Sequence, residues 1–369
     1  MLRYIVIILL IILVSLYTWF TINTFNINNY IGDEVWYPTS ALNILKYIFH
    51  VSVPMSIDYP SNAGIQTYIN PEHPPLAKYI MALSILFLGY NPIAWRVPSW
   101  ILGSLTLVMA FLFGLKFFKD PKVRYISGLL CAFIVALDPN FWVMHGIAML
   151  DGYAGFFSLL SLYLLLSERK TIASIALSLA FLVKESLYML IFPYLYYLGE
   201  IERRLRFRVI YGILIPLAIY LLLSIPIIIY FGGFMNWLQN SILHSLNWAI
   251  TSGHISPGAT SQISEPWDWF FNINPFYLGY NFYATTNPLV LLSWIFLTPF
   301  SFILKDPKLI TTSTYALSIW LGFVLVYFLG NNTLFSFYVS DFSTVADVYV
   351  VVSAIALSER LPKLIKRTR

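Results

Sequence analysis

The sequence predicts an all-α polytopic membrane protein, and three observations carry that prediction. Only 11% of the 369 residues are charged, while 59% are hydrophobic. An average soluble domain carries about 25% charged residues, so this chain has too few to cover a water-facing surface. Soluble enzymes, disordered chains and coiled coils are excluded. The mean hydropathy is +0.74, with the apolar residues gathered into runs long enough to cross a bilayer. Aromatic residues make up 18% of the chain, and Trp and Tyr favour the membrane–water interface. The single cysteine, Cys131, rules out a disulfide framework and any Cys-based metal site.

A bilayer core of roughly 30 Å asks for about 20 apolar residues per helix, fewer where neighbours shelter the ends. Runs near 4–22, 97–115, 125–137, 148–166, 171–183, 186–198, 209–230, 288–304, 309–329 and 348–358 therefore predict ten spans. The shorter run 76–90 is an eleventh candidate. The first run follows Met-Leu-Arg and has no small-residue cleavage site after it, so it reads as a retained span and not a removed signal peptide. Charge then sets the orientation. With the N-terminus cytoplasmic and 76–90 lying in the outer interface, only Lys46, Lys78, Arg96 and Lys184 of the 22 basic residues fall outside. That is the positive-inside pattern. A crossing at 76–90 would turn nearly all the others outward. The net charge of +5 is thus a sorting signal, and nucleic acid is excluded as a partner.

This topology gives two large outer loops, 23–96 and 231–287. Both are rich in Asn, Pro, Tyr and Trp, and neither has the composition of a separate soluble domain. They are expected to fold onto the membrane surface, the first through interfacial helices. One membrane domain then spans residues 1–369.

The candidate chemistry lies on the outer face. Gly32-Asp33-Glu34 sets two adjacent carboxylates beside the bilayer, where acids are costly. The pair equally suits the first turn of an interfacial helix, whose dipole favours acids. In Glu72-His73-Pro74-Pro75-Leu76-Ala77-Lys78 the Pro-Pro step fixes an extended entry into a helix. Three ionisable groups then gather near its start. Arg96, in Asn91-Pro92-Ile93-Ala94-Trp95-Arg96, has the planar donor fork that suits phosphate, or it anchors the interface beside Trp95. Asp151 lies just inside a span and needs a partner there. Lys184 and Glu185 could neutralise each other, and His244 or His254 could join Glu72 as metal ligands. Together an acid pair, a phosphate-seeking cation and an apolar cavity suit a lipid phosphate. If that lipid carries a sugar, transfer needs a base for the acceptor hydroxyl and positive charge for the departing phosphate. A carboxylate on the far face of the sugar gives inversion.

In their order along the chain these motifs resemble the protein O-mannosyltransferases (dolichyl-phosphate-mannose–protein mannosyltransferases), membrane glycosyltransferases of the GT-C fold. Asp33-Glu34 resembles the family's Asp-Glu in the first outer loop. His73-Pro74-Pro75-Leu76-Ala77-Lys78 resembles its His-Pro-Pro-Leu-Gly/Ala-Lys. Trp95-Arg96 with Pro98-Ser99 and Gly103 resembles its Met-Arg-x-x-Ser-Ala-x-x-Gly, and Leu150-Asp151 resembles the end of its Ser-Arg-x-x-Leu-Leu-Asp. Pro266-Trp267-x-Trp269 and Asn287-Pro288 echo its C-terminal segments more weakly. The resemblance implies Asp33 as catalytic base, Glu34 assisting acceptor placement, and Arg96 on the lipid-linked phosphate with His73 and Lys78 close by. His145-Gly146 stands where the family has Ser-Arg, so either His145 or Lys184 compensates beside Asp151 in the donor site, or donor binding differs. In the related lipid A aminoarabinose transferases Glu-Lys-Pro-Pro replaces Glu72-His73-Pro74-Pro75, and the glutamate is tied to zinc. That keeps a divalent metal at Glu72 and His254 as a candidate cofactor.

The resemblance thus implies a polyprenyl-phosphate (dolichyl-phosphate) sugar as donor, mannose first, and a protein Ser/Thr hydroxyl or a glycan as acceptor. The composition points to an archaeal plasma membrane with the site facing out. Three rivals remain: a GT-C transferase of another sugar or with a lipid acceptor, a non-catalytic lipid-binding subunit, and a transporter.

Overall fold

A computed structural model describes residues 1–251 and 262–367. Each of the ten apolar runs lies on helix. The first nine α-helices are α1 (Leu2–Thr24), α2 (Tyr37–Asn43), α3 (Leu76–Leu88), α4 (Pro92–Gly114), α5 (Pro121–Ala136), α6 (Pro139–Gly146), α7 (Leu150–Leu166), α8 (Lys170–Phe181) and α9 (Ile191–Ile201). A helical stretch Leu205–Tyr230 follows, then Pro288–Ile303, Pro307–Phe328 and the last helix, Ser340–Arg367. The protein is an integral, multi-pass membrane protein. Five of the helices are long and apolar enough to cross a bilayer alone, and a sixth if α5 and α6, bent by 67°, form one broken span. The remaining apolar helices are shorter than a bilayer, so the number of crossings stays near ten without being fixed by length. Among them α3, with 13 residues, would reach only about 20 Å.

Local sequence explains where the helices begin. Asp120-Pro121, Asp138-Pro139 and Asp306-Pro307 each place an acid at the N-cap with proline at the first helical position. The carboxylates accept from the backbone amides of Lys122, Asn140 and Lys308, which would otherwise have no partner. Asn91 and Asn287 do the same for Ala94 and Val290. Proline also disfavours helix in the residue before it. That is why α5 stops short of Asp138 and α6 restarts beyond it.

Burial separates centre from rim. In the last helix 78% of the apolar window is buried, against 17% in α1 and 28% in Leu205–Tyr230. The last helix packs against α5, α7, Pro288–Ile303 and Pro307–Phe328 and forms the axis of the bundle. α1 and Leu205–Tyr230 present their apolar faces outward, as lipid-facing helices do.

One departure from an all-helical chain lies in the second loop, a small antiparallel hairpin of β1 (Phe276–Gly279) and β2 (Phe282–Ala284). Tyr280 and Asn281 both have positive φ at its turn, the conformation that suits the twist of a hairpin. The hairpin is tied down by the Phe276 amide, which donates to Ser336 Oγ, and by Ser336 Oγ, which donates to Ala284 O. Phe282 stacks on Phe25 at the end of α1. The described part of the second loop therefore covers the first. The basic turns around Lys116, Arg208 and Lys305 gather at the other end of the bundle.

Candidate active site

Asp33 and Glu34 are adjacent in sequence but do different things. Glu34 is fully buried, and its carboxylate accepts from Arg96 Nε (2.8 Å), Arg96 Nη2 (2.5 Å), the Ala148 amide (2.9 Å) and the Ile31 amide (2.8 Å). Arg96 is as enclosed. Its remaining donors go to the carbonyls of Phe25, Ile27 and Asn29. Every N–H of the guanidinium is therefore engaged. The sequence-based roles of Arg96 on the donor phosphate and Glu34 at the acceptor do not fit this geometry. Together the two residues clamp the chain leaving α1 onto α4 and the start of α7. Trp95 is no interfacial anchor either: it is buried and stacked on Tyr30 with ring centroids 5.1 Å apart.

Lys78 is likewise occupied. Its ammonium donates to the carbonyls of Asn70 and His73 and lies near Asn70 Oδ1 and Ile69 O. It closes the loop that leads into α3 and is not free for a donor. Glu72 accepts from Tyr68 and Asn70. No group of three metal-ligating side chains occurs among the described residues, and His254 lies outside them. His145 sits in the interior, Nδ1 against the Phe141 carbonyl and its ring over Phe141.

Asp33 remains. It is half-buried in the turn Gly32–Val35, and no hydrogen-bonding partner for its carboxylate occurs among the described residues. The turn is built for close approach. Gly32 has φ +56°, and a Cβ there would stand 2.6 Å from Leu278 Cδ2 of the hairpin. Glycine suits both the angle and the space, and a larger residue would have to displace the end of Leu278. Burial pushes the Asp33 carboxyl up to about 6, Asp151 adds to the rise, and His73 and Lys184 oppose it.

The groups around Asp33 come from four distant segments. Lys184 follows α8, and its ammonium donates to Asp151 Oδ1 (2.5 Å) and pairs with Asp341 Oδ2 (2.9 Å). It lies 4.3 Å from the centroid of the Tyr338 ring. Asp341, in the first turn of the last helix, also accepts from Ser186 Oγ (2.6 Å). Burial alone would lower the Lys184 ammonium, but Asp151 and Asp341 hold it above the usual lysine range. Glu185 makes its ion pair with His73 Nδ1 at 2.9 Å and not with its neighbour Lys184, whose ion pairs go to Asp151 and Asp341. Burial would raise Glu185, yet His73, with Lys184, holds it down at about 2; burial would lower His73, and Glu185 together with Glu72 raises it instead.

The structure thus places Asp33, His73, Asp151 and Lys184 within electrostatic reach of one another, and engages Glu34, Arg96, Lys78 and His145 in internal contacts. Asp341, Tyr338 and Ser186 were not anticipated. One signal was available for Asp341: an acid at the foot of an apolar run requires a partner.

Comparison with known proteins agrees with this architecture. Residues 72–230 match the family model described as dolichyl-phosphate-mannose-protein mannosyltransferase. The polyprenol-phosphate-mannose–protein mannosyltransferase of Corynebacterium glutamicum is 29% identical over 125 residues, 34% of this chain and 22% of that protein. Among solved structures, ArnT from Cupriavidus metallidurans bound to undecaprenyl phosphate superposes with a TM-score of 0.63 at 14% identity. The match covers 96% of this chain and 61% of that one. The oligosaccharyltransferase AglB from Archaeoglobus fulgidus, in complex with an inhibitory peptide and a dolichol-phosphate, gives 0.54 at 12% identity, over 98% and 52%. The chain therefore spans about a fifth of the curated relative and a little over half of these structures. It has the GT-C fold, and over residues 72–230 it resembles the dolichyl-phosphate-mannose-protein mannosyltransferases.

Proposed function

We propose that the protein transfers a sugar, mannose first, from a polyprenyl phosphate to an acceptor hydroxyl such as a protein Ser or Thr. One observation carries the reading: of two adjacent acids, Glu34 is saturated by four donors, whereas Asp33 is open and raised to about 6. A base works best when its pKa lies near the working pH. The acceptor oxygen attacks the anomeric carbon as Asp33 takes its proton. The bond from that carbon to the phosphate oxygen breaks, and polyprenyl phosphate leaves with the electron pair. Attack opposite the leaving group inverts the centre. His73, half-buried and paired with Glu185, is the group that would meet the departing phosphate, which requires positive charge; Lys184 is already held by Asp151 and Asp341 and orients those acids instead.

The likeness to proteins that bind undecaprenyl phosphate and dolichol-phosphate supports a lipid-linked donor. The gathering of the basic turns at the end away from Asp33 supports an outward-facing site with a cytoplasmic N-terminus, and the plasma membrane is the membrane this reading assigns it to. The test uses purified protein, labelled polyprenyl-phosphate mannose and Ser/Thr peptides. Wild type transfers label to peptide, and Asp33→Asn loses roughly 10²–10⁴-fold while still binding the donor. Equal transfer by the two proteins overturns the assignment.

A further inference from the structure

The last helix carries Asp341 in its first turn and Arg360 roughly 28 Å further along. Around Arg360, at the end of the bundle away from Asp33, lies a cavity of about 470 Å³. Three cations line it, Lys305, Lys308 and Arg360, with two acids, Glu200 and Asp306. Asp306 is fully used: it accepts from the Lys308 and Leu309 amides and from Arg360 Nη1 at 2.6 Å. Arg360 and Asp306 thereby cancel. Among the described residues the Lys305 and Lys308 ammonium groups have neither an ion-pair nor a hydrogen-bond partner, and Glu200 is the one acid left to oppose them. More positive charge stands nearby. Lys116 is lowered first by burial and then by Lys308, Arg169 and Arg124 around it. Lys305 also occupies the left-handed position after a helix, φ +50°, where glycine is the usual residue. The remaining walls are apolar and include Phe117, Tyr197 and Leu304.

An excess of cations, apolar walls beside them and a place at the end of a membrane domain match a charged lipid headgroup with its first acyl carbons. A free anion would have no use for the apolar walls. We propose that this cavity binds the phosphodiester headgroup of an anionic bilayer lipid, with Lys305 and Lys308 on the phosphate. The site is independent of the chemistry at Asp33 and belongs to the opposite leaflet.

The test is thermal unfolding of the detergent-purified full chain during titration with phosphatidylglycerol, phosphatidylcholine or soluble glycerophosphoglycerol. Phosphatidylglycerol raises the midpoint of the wild type saturably, and the other two do not. The paired substitution Lys305→Gln with Lys308→Gln weakens the response roughly twenty-five-fold, about fivefold for each charge. Lys119→Gln with Lys122→Gln removes the same charge from exposed positions outside the cavity and leaves the response intact. Equal stabilisation by phosphatidylcholine, or a wild-type response in the Lys305/Lys308 variant, overturns the proposal. Equal stabilisation by glycerophosphoglycerol overturns the lipid and leaves a free-anion site.

Discussion

At the scale of single residues, the difference between Asp33 and Glu34 is one of satisfied valence. A carboxylate that accepts four hydrogen bonds inside a protein has no lone pair to offer a substrate, whereas one without partners does. Breaking the Glu34–Arg96 pair leaves a buried charge uncompensated. Arg96→Met or Glu34→Gln alone is expected to cost roughly 3–5 kcal/mol. The double variant should cost clearly less than the sum, and chemical denaturation in detergent checks both. The pH dependence has two limbs. Asp33 must be ionised to act, so activity rises as the pH climbs through about 6. His73 has a folded value above its usual 6.5, so its contribution is complete below 6.5 and disappears as the pH rises through the higher value. Glu185, held at about 2, contributes above its usual 4.5 and fails only as the pH falls through about 2. The expected rate profile is a bell. His73→Gln should remove the alkaline limb and leave the acid one, and an unchanged alkaline limb would take His73 out of the site.

At the scale of elements, helix starts are written locally and helix contacts are not. The Asp-Pro and Asn-Pro pairs can be read directly because a cap involves neighbours in sequence. The crossing of α4 and α5 depends on glycines whose purpose only the partner helix reveals. A Cβ on Gly114 would stand 2.7 Å from Gly128 Cα, and one on Gly128 would stand 2.8 Å from Phe111 O. Small residues allow helix backbones in lipid to approach this closely. Gly128→Leu should destabilise the protein by roughly 1–3 kcal/mol, visible as a lower unfolding midpoint in detergent. An unchanged midpoint would show that the helices separate without cost.

At the scale of the whole molecule, the two ends of the bundle differ in charge. One end collects Asp33, His73, Asp151, Lys184, Glu185 and Asp341 under the hairpin, and the other collects the basic turns. If the basic end faces the cytoplasm, Cys131→Ser with Lys119→Cys gives a protein labelled by a membrane-impermeant maleimide only after the cells are opened. Labelling of intact cells would invert the topology.

Composition and periodicity by themselves determined the class, because a chain with 11% charged residues has no soluble solution. They also placed ten apolar runs that all lie on helix, since burial in lipid forces internal backbone hydrogen bonding. Proline and its preceding Asp or Asn set the helix starts. The sequence also named most of the site's charges, because an ion near lipid without a partner is too costly to be incidental. Only the tertiary structure decided who pairs with whom. Lys184 meets Asp341, 157 positions away, Glu185 meets His73, and Arg96 closes on Glu34. No local pattern encodes such pairings, because each is settled by which helix ends the packing brings together. That is also why Asp33, and not its neighbour, is left open.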